Sequence, residues 1–128
     1  MQTYGPIVEA YLQALERSSL EDILALFTAD ALVESPFLGR LPAAEFFPKV
    51  LASSQQSDIT IHDILTSARG QRRAVGYFRY DWTLLDGSQV TFECADVFDF
   101  AAQEDKIERM VILYDTFPIR SQVGDKYG

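Results

Sequence analysis

Little in this chain of 128 residues could staple it, metallate it or anchor it. It has one cysteine, Cys94, so no internal disulfide can form. One cysteine with one histidine, His62, makes a poor zinc site, and neither a metal nor a cofactor is expected. No apolar run approaches the ~20 residues needed to span a bilayer. Positive charge is scarce, with 11 Lys and Arg against 19 Asp and Glu and a net charge of −8. Nucleic acids and anionic membranes both reward basic patches, so neither is expected as a partner. The opening residues, MQTYGPIVEA, lack the basic and apolar regions of a signal peptide, which makes the cytoplasm the expected compartment. There is no repeat, linker or low-complexity segment, so residues 1–128 read as one domain.

What is present is an ordinary hydrophobic content of 48%, arranged in clear periods. Residues 5–17 predict an amphipathic helix with Ile7, Val8, Tyr11, Leu12 and Leu15 on one face. Ser18 and Glu21 have capping-box spacing and open a second helix over 19–27, with Leu20, Ile23, Leu24 and Phe27 inward. Thr28-Ala29-Asp30 reads as a turn, Ala31 to Ser35 as a short strand stopped by Pro36, and PFLGRLP as a loop. A short helix over 43–52 contains Pro48. Ile59 to Thr66 alternates as a strand, and three long strands follow over 74–85, 88–101 and 106–115; Pro118 ends the sheet before a polar tail. Helices first and an antiparallel sheet after make an α+β fold, with helices covering one face of a curved sheet.

One strand carries an oddity. In ECADVFDF, Cys94, Asp96, Phe98 and Phe100 share a face, and Asp96 is the one carboxylate on an otherwise apolar surface. Such a group must be protonated, paired or close to water, and burial would raise its pKa from ~3.9 towards neutrality. Its neighbours depend on the hairpin at Asp86-Gly87. A two-residue loop is the expectation; it pairs Leu85 with Ser88 and brings Arg79 and Asp81 onto the face of Asp96. One bulge would instead put Phe78, Tyr80 and Trp82 there. Left outward, those three would form an apolar patch fit for pairing two copies.

The order of elements, together with Tyr11, LEDILALFTADALVESP, ADVFDF and DKIERMVILYD, resembles the nuclear transport factor 2-like superfamily, in its SnoaL-like and ketosteroid isomerase-like branch. That resemblance implies a cone-shaped, cystatin-like fold in which a curved antiparallel sheet wraps around N-terminal helices. It also implies a pocket for a small hydrophobic molecule and a homodimer formed through the outer face of the sheet. In the isomerases a tyrosine on the first helix and a protonated acid on a late strand donate to an enolate oxygen, a case in which a buried acid stays neutral. By resemblance these roles fall on Tyr11 and Asp96. The isomerase base, an Asp just before a Pro, falls on Ser35, which cannot act as a base unaided. The expected lining is Phe27, Ser35, Phe47, Cys94, Phe98, Met110, Ile112 and Tyr114; the last three share a face of the last strand and would serve equally well as ordinary core, and Phe37, Phe46 and Phe47 either rim the mouth or close the core. Arg79-Tyr80-Asp81 is similar to the Arg-x-Asp pair of limonene epoxide hydrolases, which would make Arg79 and Asp81 catalytic helpers.

Three functions follow: cofactor-free proton transfer of the isomerase or polyketide cyclase kind, or epoxide hydrolysis; non-catalytic binding of hydrophobic molecules; and protein interaction. Each has a bland counterpart. Asp96 could hydrogen-bond inside the cone, Tyr11 could be plain core, Arg79–Asp81 a surface ion pair, His62 structural and Cys94 a small hydrophobe.

Overall fold

The computed structural model describes residues 4–116. Helix α1 (Tyr4–Glu16) buries Val8, Tyr11, Leu12, Ala14 and Leu15 along one stripe, each large side chain contributing roughly 1.5–3 kcal/mol. Ser18 closes the helix with φ 57°, donating its backbone N–H to the Leu15 carbonyl while that of Ser19 reaches the carbonyl of Ala14. This use of Ser18 displaces the expected capping box by one residue. Ser19 is the N-cap of α2 (Leu20–Leu24), and its hydroxyl accepts from the Asp22 backbone N–H.

The second helix is shorter than expected, because Phe27 already belongs to strand β1 (Phe27–Ser35). The predicted turn at Thr28-Ala29-Asp30 is an irregularity within that strand. Phe27 faces Ile107 and Leu32 faces Arg109, so β1 advances five residues while its partner advances two. The PFLGRLP segment likewise holds more than a loop: after the turn at Ser35, strand β2 (Gly39–Pro42) pairs back on β1. Helix α3 (Ala43–Ala52), with Pro48 inside it, forms as expected and buries Phe46 and Phe47. Strands β3 (Ser54–Thr66), β4 (Arg73–Leu84), β5 (Gln89–Phe100) and β6 (Ile107–Tyr114) complete a curved six-stranded sheet in the order β2-β1-β6-β5-β4-β3. One pair, β1 with β6, is parallel, so the sheet is mixed where an antiparallel one was expected. The stop at Pro118 and the polar tail lie outside the described residues. No helix among the described residues is long and apolar enough to cross a membrane.

The β4–β5 hairpin decides which side chains face the helices, and here the expected register is wrong by one. Leu84 and Ser88 close a three-residue loop: the Leu84 N–H donates to the Ser88 carbonyl, and the Gly87 N–H to the Leu84 carbonyl. Gly87 has φ 88°, the left-handed residue that three-residue hairpin loops demand. Asp86 secures the turn by accepting from the Ser88 N–H and hydroxyl. Phe78 therefore pairs with Cys94, Tyr80 with Phe92 and Gly76 with Asp96. Phe78, Tyr80 and Trp82 turn inward, while Arg79 and Asp81 face out.

Candidate active site

The inner face of the sheet can be read in rows across the strands. One row is Ile64, Gly76, Asp96 and Ile112; the next is Ile61, Phe78, Cys94 and Tyr114. Asp96 thus sits between a glycine and an isoleucine, neither of which offers a polar side chain. A Cβ at Gly76 would lie 3.0 Å from Val8 Cγ1, so the missing side chain is what lets α1 lie close over this row and bring Tyr11 to the site.

Helices α1 and α3 and the inner sheet face enclose a cavity of about 290 Å³, at the lower end for ligand pockets. Its walls are aromatic: Phe46 and Phe47 from α3, Phe78, Tyr80 and Trp82 from β4, Phe92 from β5, Tyr114 from β6 and Phe37 from the β1–β2 turn. Tyr80, Phe92 and Tyr114 form a continuous ring contact, with centroids 5.3 and 4.6 Å apart.

Asp96 lines this cavity at 2% exposure, and its Oδ1 is buried with no hydrogen-bond partner. Burial alone pushes its pKa up to about 8, so the neutral acid dominates at pH 7. Tyr11 also lines the cavity. Burial first, and then the charge of Asp96, hold its phenol well above the usual range. Tyr80 is pushed up to about 12 by burial, against the hydrogen bond it shares with Ser57 at 2.9 Å, in which either oxygen can donate. Burial raises Tyr114 and Cys94 as well, and both feel Asp96. The site is a neutral carboxyl among neutral phenols and a thiol on a mostly apolar wall: several groups able to donate hydrogen bonds, and one group able to take up or release a proton near pH 8. Among the described residues no three His, Cys, Asp or Glu side chains cluster as metal ligands would.

A model of the SnoaL-like domain matches residues 8–110, nearly the whole described chain. The chain belongs to the SnoaL-like family. Solved structures show the same fold. A nuclear transport factor 2-like protein of unknown function from Burkholderia pseudomallei has a TM-score of 0.78 at 18% identity, covering 98% of this chain and 100% of its own. A hypothetical protein with a ketosteroid isomerase-like fold from Catenulispora acidiphila, in complex with trimethylamine, has a TM-score of 0.78 at 15% identity, covering 95% of each chain. An LEH-like epoxide hydrolase from M. tuberculosis has a TM-score of 0.73 at 17% identity, covering 92% of this chain and 86% of its own. No curated protein matches the sequence.

Within this SnoaL-like domain the expected site residues divide into three groups. Tyr11, Ser35, Phe47, Cys94, Asp96, Ile112 and Tyr114 line the cavity together, with Phe37 and Phe46. Phe27, Phe98 and Met110 do not: they are buried core beneath it, and Tyr11 packs edge-on against Phe27 and Phe98 at 5.9 and 5.4 Å. Arg79 and Asp81 pair with each other on the outer face, away from the cavity, where Asp81 also accepts from Thr91 at 2.6 Å. His62 is on that face too, its ring tilted against that of Tyr77 with centroids 4.8 Å apart, and its Nε2 lies 2.7 Å from a Glu93 carboxylate oxygen. Ser35 lines the cavity at the β1–β2 turn, and its hydroxyl accepts the Leu38 N–H at 3.1 Å, holding the turn. The β4 walls Phe78, Tyr80 and Trp82 face the cavity in the one-bulge alternative and not in the expected register; Phe92 shares the Asp96 face of β5 in either register, and the strand alternation was its signal. Asp86-Gly87 carried no signal that decides the register, since a left-handed Gly87 serves a two-residue and a three-residue loop alike.

Proposed function

We propose that this SnoaL-like domain binds a small, mostly apolar carbonyl compound in the cavity and catalyses cofactor-free proton transfer on it. Asp96 is the proton-transfer group and Tyr11 donates to the carbonyl oxygen. The observation that carries this reading is Asp96 itself, buried, unpartnered and facing the space where a ligand fits. A carboxylate raised to about 8 is a far stronger base than an ordinary aspartate. It takes a proton from the carbon beside the carbonyl, and the electron pair moves onto the oxygen, where the Tyr11 O–H steadies the enolate. Asp96, now neutral, returns the same proton to carbon in an isomerisation, or to the alkoxide in a ring closure. Ser35 takes no proton, and Arg79 and Asp81 take no part.

The test is turnover of enolisable and cyclisable ketones from pH 5 to 10. The rate should climb as Asp96 ionises and level off above about 8. Asp96→Asn should lower the rate by about 10²–10⁴-fold while keeping its affinity for a fluorescent polycyclic phenol. Wild-type turnover retained in that variant would reduce the cavity to a binder. Ser35→Asp sharpens the test, since an aspartate can also accept the Leu38 N–H. With a second carboxylate in the cavity it should gain ketosteroid isomerisation.

A pair of copies joined through the outer sheet face is part of the same proposal. The patch differs from the expected one: the rows Tyr77–Ala95–Leu113 and Leu65–Val75–Val97–Val111 supply it, with Leu65, Tyr77 and Leu113 at 49%, 44% and 51% exposure. Sedimentation of wild type and Leu113→Lys checks it; the substitution should yield monomers.

A further inference from the structure

We propose that the cavity is also a site for hydrophobic ammonium ions, with the Asp96 carboxylate as their counter-ion and the aromatic walls as their cage. The inference does not rest on the proton-transfer reading.

A buried carboxyl group in a folded protein ordinarily has a donor or a cation beside it. Asp96 Oδ1 has no hydrogen-bond partner, and the topology brings no cation beside it. Its row neighbours are Gly76 and Ile112. The titratable groups that face it are Tyr11 from α1, Tyr80 from β4, Tyr114 from β6 and Cys94 on its own strand. All four are neutral acids that could add only negative charge. From α3 the cavity receives Lys49, which is solvent-exposed at its edge, far from the protection Asp96 enjoys. When Asp96 ionises, its compensating charge has to come from a ligand.

The surroundings suit such a ligand. Indole, phenol and phenyl faces attract a cation through their quadrupoles, most strongly where water is excluded. Trp82, Tyr80, Phe92 and Tyr114 provide those rings around the same space. The net charge of −8 raises the local concentration of cations. A compact ammonium carrying one apolar group matches a cavity of about 290 Å³. Because burial holds the phenols and the thiol in their neutral forms, Asp96 is the group facing the ligand that changes charge between pH 6 and 9. Cation binding therefore strengthens as pH rises through that window.

The chain has a single tryptophan, Trp82, and it lines the cavity, so its fluorescence reports occupancy. Phenyltrimethylammonium and its uncharged isostere tert-butylbenzene are titrated against the wild type and Asp96→Asn from pH 6 to 9. In the wild type the cation should bind at least tenfold more tightly at pH 9 than at pH 6, while tert-butylbenzene changes less than twofold. Asp96→Asn should weaken the cation at least tenfold at pH 9 and leave tert-butylbenzene within twofold, which also shows that the variant is folded. The proposal is overturned if cation affinity is flat with pH, if the variant binds the cation as the wild type does, or if the cation leaves Trp82 unchanged at pH 9. The wild-type pH series decides the matter even where the variant fails to fold. An enzyme that loses ketone turnover in Asp96→Asn but never binds phenyltrimethylammonium keeps the proton-transfer reading and loses this one.

Discussion

Two aspartates on neighbouring strands show what a single change of face does to a carboxyl group. Asp81, on β4, points outward. Thr91 donates to it at 2.6 Å and Arg79 at 3.1 Å, and these bonds hold its pKa below the usual carboxylate range. Asp96, on β5, points inward, meets no donor, and is pushed up to about 8 by burial. The first group has been neutralised as a structural pair. The second is held in a state that costs the fold stability and leaves the carboxyl available for chemistry. Unsatisfied burial of this kind is what an evolved cavity tolerates where function needs it.

The largest effect that could break this contrast is on stability against pH. The folded pKa of Asp96 lies above its unfolded value, so the folded state binds the proton more tightly. Stability contributed by that proton is complete below about pH 4 and is lost as pH rises to about 8. At about 1.4 kcal/mol per unit over about four units, roughly 6 kcal/mol is at stake. Urea denaturation of Asp96→Asn should show little of this slope, making the variant more stable than wild type at pH 8. Equal slopes would mean that Asp96 is not held neutral.

A cation in the same row should convert Asp96 into a second Asp81. Ile112→Lys places an ammonium beside it and should lower its titration midpoint by about 1–3 units, readable by NMR of the carboxyl carbon. Next in size is Gly76→Ala. The new methyl meets Val8 Cγ1 at 3.0 Å and should cost about 1–3 kcal/mol by thermal denaturation, with Tyr11 displaced and phenol binding weakened. Asp81→Asn should be the mildest. Its pair with Arg79 is solvent-exposed, so stability at pH 7 should fall by less than about 1 kcal/mol and turnover should not change.

Much of this was legible in the chain itself. The alternation in ECADVFDF shows Asp96 sharing a face with Cys94, Phe98 and Phe100, and all four are buried. The helical stripe that carries Tyr11 and the α3 segment around Pro48 were equally plain. The errors fall where one residue can serve two local roles. Ser18 could cap the second helix or end the first, and it ends the first. Thr28-Ala29-Asp30 has turn chemistry, which a strand irregularity uses equally well. Asp86-Gly87 suits a two-residue loop or the last two places of a three-residue loop, and the choice inverts every side chain on β4 relative to β5.

That last point divides what the sequence determined from what only the tertiary structure decided. Period and propensity are local properties, so the sequence by itself determined the α+β order of elements, the apolar face that holds Asp96, and the shortage of positive charge. Register and company are not local. Gly76 and Ile112 stand beside Asp96 because β4 and β6 align there, and Phe78, Tyr80 and Trp82 face the cavity because the β4–β5 loop takes three residues rather than two. An aspartate's chemistry depends on which groups lie within a few ångströms of it, and those groups come from strands that meet only when the sheet closes.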